Sequence, residues 1–421
     1  MRNFLLLGMA WFLSVWTVRS ADSGIGDVTA KLEDLGIPHA QCYQHPYPRN
    51  VWALKAFDGK LFLGAGNSAN SGPAQNAGPV PVMVFDPKTK KFTKEWDVPD
   101  EQIDIYRVIN GDLCVPGHDP KEDWKFGNFY RRPAGDPQWE KVRSIPGAVH
   151  CYDITELSGM VYAGGTGLWA SENNGKSFQT LLKFNRYYAF LTFPETVYAV
   201  ADGRIFPQPV SPLDEKTMKP GPKCASLLPV CMINQKGWTA LYPPVDKFIP
   251  NADLKNTQLR YKIYRTVPFK GKVLYIAGIA HNDHQIVPIS ANVATDGGTQ
   301  LFNFSPIKLP DGAMPWDFTV VQDKAYLLFA QKNKTGKKGQ ETVNHLWESA
   351  DGGKFTPLMS FKAATFARSV EYLDGYFYFG LGTEFVGKNT PQDTASVLCA
   401  SEKELSQESG RIYRIKYKTK K

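Results

Sequence analysis

Residues 152–165, YDITELSGMVYAGG, predict two short β-strands joined by a tight turn at Ser158-Gly159, because apolar and polar residues alternate on both sides of a turn-forming dipeptide. The pattern recurs in six more segments: WALKAFDGKLFLGAG (52–66), IYRVINGDLCVPG (105–117), AFLTFPETVYAVADG (189–203), YRTVPFKGKVLYIAG (264–278), FTVVQDKAYLLFA (318–330) and SVEYLDGYFYFGLG (369–382). Most of these hairpins follow one another at 48 to 52 residues, and the two exceptions, 36 and 76 residues, are adjacent. Seven hairpins at such a period predict an all-β fold, a seven-bladed β-propeller.

The outer strands of the blades are predicted from the segments that follow the hairpins. LWASENNGKSFQTL (168–181) and LWESADGGKFTPL (346–358) each predict a third strand, a polar turn and a fourth strand. Their turns resemble the Asp-box turns that cap outer hairpins in many propellers. RIYRIKY (411–417) is predicted to be a late strand of the seventh blade, and a segment near residues 38–43 is predicted to supply the edge strand that closes the ring.

The N-terminal residues predict where the protein resides. One arginine, an apolar run from Phe4 to Val18 and small residues up to Ser20 are typical of a secretion signal, too short for a membrane span. We therefore expect a signal peptide at 1–20, a single propeller domain at 21–421, and a secreted or periplasmic protein without a membrane span. The six cysteines are too few for a disulfide scaffold in a chain of 421 residues.

The net charge of +8 favours polyanionic partners, although a generally basic surface with a basic tail would explain it equally well. The lysines are dispersed and no nucleic-acid motif is present, so an acidic polysaccharide is the partner that we expect and nucleic acid is not. No feature of the sequence indicates oligomerisation, and we expect a monomer.

The repeat also predicts which side chains meet at one end of the channel. The first strand of each blade lines the channel, so residues at equal distances before each turn should share one rim. Nine residues before the turn markers lie Asn50, Gln102, His150, Arg186, Lys262, Met314 and Phe366; seven residues before them lie Trp52, Asp104, Tyr152, Tyr188, Tyr264, Trp316 and Arg368. After the second strands come Asn67, His118, Arg204, His281 and Glu384. Blades two to five thus bring cations, imidazoles and phenols to one rim.

Such a rim suits an acidic sugar. Aromatic rings cover the apolar faces of pyranoses, and an arginine binds a carboxylate through two parallel hydrogen bonds. Neutralising the carboxylate of a uronic acid acidifies the proton on C5, so a tyrosine or histidine can remove that proton while a second group protonates the departing C4 oxygen. This reaction is β-elimination, and it requires no cofactor.

Four segments resemble the secreted seven-bladed propeller polysaccharide lyases, the ulvan lyase type in particular: LCVPGHDPKEDWKFGNFYRR (113–132), GAVHCYDI (147–154), NRYYAF (185–190) and VADGRIF (200–206). The resemblance implies that Arg204 neutralises the carboxylate and Tyr188 transfers the proton, with His118 and His150 as partners in acid/base work or orientation. The predicted substrate-binding residues are Trp52, Tyr152, Arg186, Lys262, Tyr264, Trp316 and Arg368.

The resemblance further implies a possible structural zinc. The candidate ligands are Cys224 and Cys231, in the long insertion after the hairpin of blade four, and His281, which follows the second strand of blade five near His284. Mixed cysteine and histidine ligation suits tetrahedral zinc. The alternatives are a Cys224–Cys231 disulfide or free thiols. We favour these over metal, because the spacing in CASLLPVC is not that of a standard zinc knuckle.

Two other functions are compatible with the sequence. A non-catalytic propeller that binds glycan or protein would need only the polar rim. A sialidase-like hydrolase, suggested by the Asp-box-like turns, would need three arginines around one carboxylate, for which Arg49, Arg186 and Arg368 are available; the seven predicted hairpins argue against this hydrolase, which has six.

Overall fold

Tight turns define the repeat in the computed structural model, which describes residues 26–69, 73–183, 185–206, 225–250, 259–281, 287–298, 300–334, 338–384 and 405–418. The turn residues Ser158 and Gly159 both have positive φ, 53° and 82°. The same holds for Asp58-Gly59 and Asp374-Gly375. Two residues of positive φ form the turn whose twist matches that of paired strands, so each such dipeptide joins two antiparallel strands.

The first four blades follow one another along the chain, each an antiparallel sheet of four strands. Blade one contains β3 (Ala53–Phe57), β4 (Lys60–Gly64), β5 (Val80–Asp86) and β6 (Lys91–Val98); blade two contains β7 (Arg107–Ile109), β8 (Asp112–Pro116), β9 (Phe126–Arg132) and β10 (Glu140–Pro146). Blade three contains β11 (Cys151–Leu157), β12 (Met160–Gly165), β13 (Gly167–Ser171) and β14 (Gln179–Lys183); blade four contains β15 (Tyr187–Thr192), β16 (Thr196–Ala201), β19 (Val230–Asn234) and β20 (Gly237–Leu241).

Three more blades confirm the seven-bladed β-propeller. Blade five contains β21 (Leu259–Phe269), β22 (Lys272–His281), β23 (Val287–Thr295) and β24 (Asn303–Pro306); blade six contains β25 (Met314–Val321), β26 (Lys324–Lys332), β27 (Thr342–Ser349) and β28 (Thr356–Ala363), with β1 (Gly26–Asp27) parallel to β28. Blade seven contains β29 (Ala367–Leu373), β30 (Tyr376–Leu381), β31 (Ile412–Lys416) and β2 (Glu33–Gly36). The described residues also form three short 3-10 helices, at Thr29–Lys31, Tyr47–Arg49 and Val245–Lys247.

The ring is closed by β2, so the predicted closure by residues 38–43 is wrong. Pro38 cannot donate a ladder hydrogen bond, and the chain turns there, with the Tyr43 amide donating to the His39 carbonyl. In β31, Arg414 donates two hydrogen bonds of 2.8 Å to the carboxylate of Glu33. The late strand of blade seven was predicted correctly.

Blade four carries an excursion between its second and third strands. A two-stranded sheet of β17 (Arg204–Phe206) and β18 (Ala225–Leu227) precedes β19, which contains Cys231. Cys231 is therefore buried in the third strand of the blade and does not lie in the insertion where the sequence placed it.

Apolar and aromatic side chains fill the spaces between blades. Trp96 and Trp139 stack between blades one and two with ring centroids 5.7 Å apart, and Tyr326 packs edge-on against Phe377 between blades six and seven.

Within the described residues, no helix is long and apolar enough to cross a membrane.

Two arginines extend between non-adjacent blades. Arg107, at the start of β7, donates to both oxygens of Asp153 at 2.8 and 2.9 Å and to the carbonyl and hydroxyl of Thr266 in blade five, both at 2.9 Å. Arg265, at a bulge of β21 with φ 49°, donates to the carbonyls of Asp104 and Trp52. These contacts join blade five to blades one, two and three, which fixes the blades that carry the predicted rim residues.

Candidate functional site

The predicted rim residues of blades three to five lie in mutual contact. The rings of Tyr152 and Tyr188 stack with centroids 4.1 Å apart, and the imidazole of His150 also stacks with Tyr152, at 5.4 Å. Lys262 Nζ lies 4.0 Å from the centroid of the Tyr188 ring. His118 of blade two packs edge-on against Tyr152, at 5.3 Å. We call these five residues the His/Tyr sector.

Backbone contacts between blades hold the two histidines in place. His118 and His150 form an isolated antiparallel bridge, and the carbonyl of His118 accepts a hydrogen bond of 3.0 Å from the Glu101 amide. A Cβ at Gly165 would lie 1.7 Å from the His150 carbonyl oxygen, so only glycine permits this close approach. The histidines are thus positioned by main chain from three blades.

Carboxylates surround the imidazole of His118. Its Nδ1 lies 3.1 Å from Asp104 Oδ2, and its Nε2 lies 3.2 Å from Ser68 Oγ and 3.8 Å from Asp119 Oδ2. Burial alone would lower the pKa of His118, but Asp104 and Asp119 outweigh burial and raise it to about 9. For Asp104, burial would raise the pKa, and the ion pair with His118 holds it below its usual range instead.

Asp119 links the two imidazoles. One carboxylate oxygen faces His118, and the other forms an ion pair with Nδ1 of His150. Asp119 has φ 58°, a left-handed conformation that aspartate adopts more readily than most residues but that still costs energy. Strain of this kind is common at functional sites.

The phenol of Tyr188 lies in a cationic environment. Burial would raise its pKa, but the ammonium of Lys262, a hydrogen bond from the Tyr152 hydroxyl and the charge of Arg186 together lower it, against the opposing charge of Asp202. The pKa of Tyr152 moves the other way, well above 10, because of burial and the neighbouring Tyr188. The two environments therefore shift the pKa values of these phenols in opposite directions, as expected for a proton acceptor and a proton donor.

Several other predicted rim residues form a second, buried group. The guanidinium of Arg368 lies between Trp52 and Trp316, 4.2 and 4.8 Å from their ring centroids, and pairs with Glu384. Trp316 stacks on Phe366 at 4.0 Å. Trp52, Trp316 and Arg368 are only 6, 1 and 5% exposed, so they offer a sugar almost no surface. The equal-offset prediction thus brings these residues together, but as packing between blades.

Some predicted site residues are only partly described. Arg204 begins β17, and His281 ends β22; the side chains of both lie outside the described part of the chain, as do Cys224 and His284. Cys231 is buried, which raises the pKa of its thiol to about 12. The zinc and disulfide hypotheses for these cysteines therefore remain predictions.

Two other predicted site residues, Arg186 and Tyr264, are both half-buried. Arg186 lies beside the His/Tyr sector, where its charge acts on Tyr188. The hydroxyl of Tyr264 makes no hydrogen bond to any described residue.

The three arginines required by a sialidase-like site do not share one environment. Arg49 donates to the carbonyls of Tyr43 and Gln44 in its own loop, at 2.8 Å each. Arg368 is buried between tryptophans, whereas Arg186 lies beside Tyr188. This distribution gives no single carboxylate-binding cluster of the three.

The sequence did not assign a role to the carboxylates of Asp104 and Asp119. Asp104 did appear among the residues seven positions before the turns, and Asp119 follows His118 directly. Gln102 and Ser68 complete the network, since the Ser68 hydroxyl lies 3.2 Å from Gln102 Oε1 and the Gln102 amide donates to Asp104. A search for acidic partners of each rim histidine would have found both aspartates.

Comparisons with known proteins found similarity only among solved structures. No protein-family model matches the chain, and no curated protein matches it. Among solved structures, the chain is similar to the Pan2 WD40 domain of Neurospora crassa (10% identity, 93% of this chain and 96% of that chain, TM-score 0.47). It is also similar to YCF48 from Cyanidioschyzon merolae (9%, 83% and 95%, TM-score 0.43) and to an ancestral GH74 enzyme (11%, 79% and 46%, TM-score 0.41). At these identities and TM-scores, the similarities carry no functional conclusion.

Proposed function

We propose that the His/Tyr sector binds a uronate residue of an acidic, ulvan-like polysaccharide and cleaves the chain beside it by β-elimination, as a secreted polysaccharide lyase. The observation that carries the proposal is the position of Tyr188, whose ring lies between the ammonium of Lys262 and the stacked ring of Tyr152. A phenol held beside a buried cation is a suitable base for the weakly acidic C5 proton of a uronate.

Tyr188 and Tyr152 together can balance the protons of the reaction. The Tyr188 phenolate takes the C5 proton, the C4–oxygen bond breaks as the C4–C5 double bond forms, and Tyr152 donates a proton to the departing oxygen. A proton then passes from the Tyr188 hydroxyl to Tyr152 along the hydrogen bond between them, and both phenols regain their starting states.

The cations of the same sector favour an anionic substrate. Lys262 and Arg186 both act on Tyr188 electrostatically, and the resemblance to the propeller lyases assigns carboxylate neutralisation to Arg204. Positive charge near the carboxylate stabilises the negative charge that develops when C5 loses its proton. Trp124, six residues after His118 in the chain, is 65% exposed, so its ring is available to the apolar face of a pyranose.

The test is absorbance at the ultraviolet wavelength of unsaturated uronates, during incubation with ulvan and with other uronate polymers. The wild-type protein should generate this absorbance, and Tyr188→Phe should lose activity by about 10²- to 10⁴-fold, the usual contribution of a general base. Arg204→Ala should also abolish elimination if it neutralises the carboxylate. Circular dichroism checks that each variant is folded.

Tyr187→Phe is the matched control. Tyr187 is 2% exposed and packs in the apolar core between blades three and four, so loss of its hydroxyl should leave the rate within a few-fold of wild type. Full activity of Tyr188→Phe, or loss of activity only in Tyr187→Phe, would overturn the assignment of the base. Binding of the polymers without any absorbance would identify a non-catalytic glycan-binding propeller instead.

A further inference from the structure

We propose that His118, Asp119 and His150 bind one divalent transition-metal ion, through Nε2, a carboxylate oxygen and Nδ1 respectively, and leave a coordination position open for an anionic oxygen of the substrate. The metal site follows from the geometry of these three residues alone. Only the identity of the incoming oxygen, a uronate carboxylate, rests on the proposed function.

The donor atoms are already gathered. One potential ligand atom from each of the three residues lies within 4.8 Å of the others. Zinc–nitrogen and zinc–oxygen bonds of about 2.0–2.2 Å place tetrahedral ligand atoms roughly 3.3 Å apart. His118 Nε2 and Asp119 Oδ2 are 3.8 Å apart, and Nδ1 of His150 is closer to Asp119 than a shared metal would allow. A small rotation of the Asp119 side chain between the two imidazoles would satisfy both separations.

The imidazole of His118 has a carboxylate at the ring nitrogen that would not bind the metal, as metal-binding histidines usually do. Asp104 lies 3.1 Å from its Nδ1, which directs Nε2 towards Asp119, and Gln102 in turn donates to Asp104. A carboxylate on the far nitrogen fixes the ring orientation and raises the basicity of a ligating imidazole. Ser68, which contacts Nε2 at 3.2 Å, can turn to its other partner, Gln102 Oε1, also at 3.2 Å.

His150 supplies an independent observation. Its Nδ1 is buried and makes no well-aligned hydrogen bond to any described residue, despite its ion-pair contact with Asp119. The polar contact of this nitrogen among the described residues is therefore to a carboxylate, at a geometry that is not a hydrogen bond. A cation bound between Nδ1 and the carboxylate would give both atoms a partner.

The ligand set indicates the class of metal and its use. Two imidazoles and one carboxylate suit zinc, and also manganese or iron(II), and three protein ligands leave at least one position open. The imidazoles contact the ring of Tyr152, which in turn stacks with Tyr188, so an oxygen bound to the metal would be near the two phenols of the proposed elimination. The ion would bind and orient the carboxylate while Tyr188 acts on C5.

Metal binding can be measured without any substrate. The metal-stripped full-length protein is titrated with Zn²⁺ by calorimetry and with Co²⁺ by visible absorption. We expect one tight site and a cobalt spectrum of nitrogen and oxygen ligands. An anomalous difference peak between His118, Asp119 and His150 in zinc-soaked crystals would give the position directly. A peak elsewhere, or no saturable binding, would overturn the proposal.

Variants separate this site from the cysteine site suggested by the sequence. Asp104→Asn should weaken binding about 10- to 100-fold, as outer-shell changes do, and His150→Ala should weaken it further. Asp119→Asn should also weaken binding. Asparagine adopts the left-handed conformation of residue 119 as aspartate does, so a loss of affinity in this variant is not caused by a strained backbone. Cys231→Ser and His345→Gln are the controls and should leave affinity unchanged; His345 lies in β27 of blade six, where its ring stacks on Phe329. Loss of binding in Cys231→Ser, or a thiolate–cobalt absorption band, would contradict the assignment.

The outcomes for metal and for catalysis can be distinguished. Elimination is assayed on the same stripped and reloaded samples. One bound metal without elimination on any uronate polymer supports the metal site and rejects the proposed function. Elimination that is unaffected by stripping, in a protein that binds no metal at the three residues, rejects the metal site and leaves the proposed function standing.

Discussion

Lys262→Met tests how the proposed base is activated. Lys262 is 8% exposed, and its ammonium lies 4.0 Å from the centroid of the Tyr188 ring. Methionine keeps much of the side-chain volume and removes the charge, so the Tyr188 phenolate loses its nearest cation while the packing is largely kept.

The magnitude follows from the distance. If the 4.0 Å between Lys262 Nζ and the centroid of the Tyr188 ring is taken as the separation of the two charges, they interact by about 4 kcal/mol at an effective dielectric constant near 20. The cost of burying the ammonium offsets part of this energy, which leaves about 2–4 kcal/mol. Each ~1.4 kcal/mol changes a rate tenfold, so kcat/KM for elimination should fall about 30- to 1,000-fold.

The assay is initial-rate absorbance of unsaturated uronate, together with a spectroscopic titration of tyrosine. In Lys262→Met, the tyrosine that ionises below the usual range should shift to higher pH. Lys270→Met is the matched control, because Lys270 also lies over an aromatic ring, that of Phe269 at 5.2 Å, but at an exposed turn. Equal rates for wild type and Lys262→Met would refute the role of the ammonium.

Three further predictions concern stability and the scaffold of the site. Arg107→Leu should lower the free energy of unfolding by about 3–5 kcal/mol in urea denaturation, because it leaves a buried carboxylate unpaired; a loss below 1 kcal/mol would show that the cross-blade contacts are dispensable. Burial lowers the pKa of His39 from 6.5 to about 4, so its neutral form contributes about 3 kcal/mol above pH 6.5 that is lost as the pH falls through 4; His39→Leu should flatten this acid dependence, and an unchanged slope would contradict the assignment. Gly165→Ala should displace the His150 backbone and lower elimination at least tenfold, whereas Gly353→Ala, with only side-chain atoms at 3.7 Å or beyond, should not; similar rates for the two variants would argue against the close approach at Gly165.

The sequence predicted the blades because their signals are local. Each inner hairpin combines alternating strands with a turn dipeptide, such as Asp374-Gly375, and the period then fixes the number of blades. Closure of the ring was mispredicted because it depends on a contact distant in sequence, in which Glu33 pairs with Arg414. Pro38 disfavours a strand in the segment that follows, but no local pattern around Glu33 marks the residues before Pro38 as the closing strand.

The candidate site was predicted in part for a similar reason. Equal offsets from the turns placed Tyr152, Tyr188 and Lys262 on one rim, and the structure brings them into contact. The same offsets could not show that Arg368 and Trp316 bury each other, because burial depends on the side chains of neighbouring blades. Alternation along a strand specifies which way a residue faces, but not what it meets.

The most direct test of the proposed lyase is mass spectrometry of the products formed from a uronate polymer. Elimination predicts new ends that carry a C4–C5 double bond and are lighter by one water than hydrolysis products, with formation lost in Tyr188→Phe. Saturated ends that incorporate solvent oxygen, or an intact polymer after saturating binding, would contradict the account.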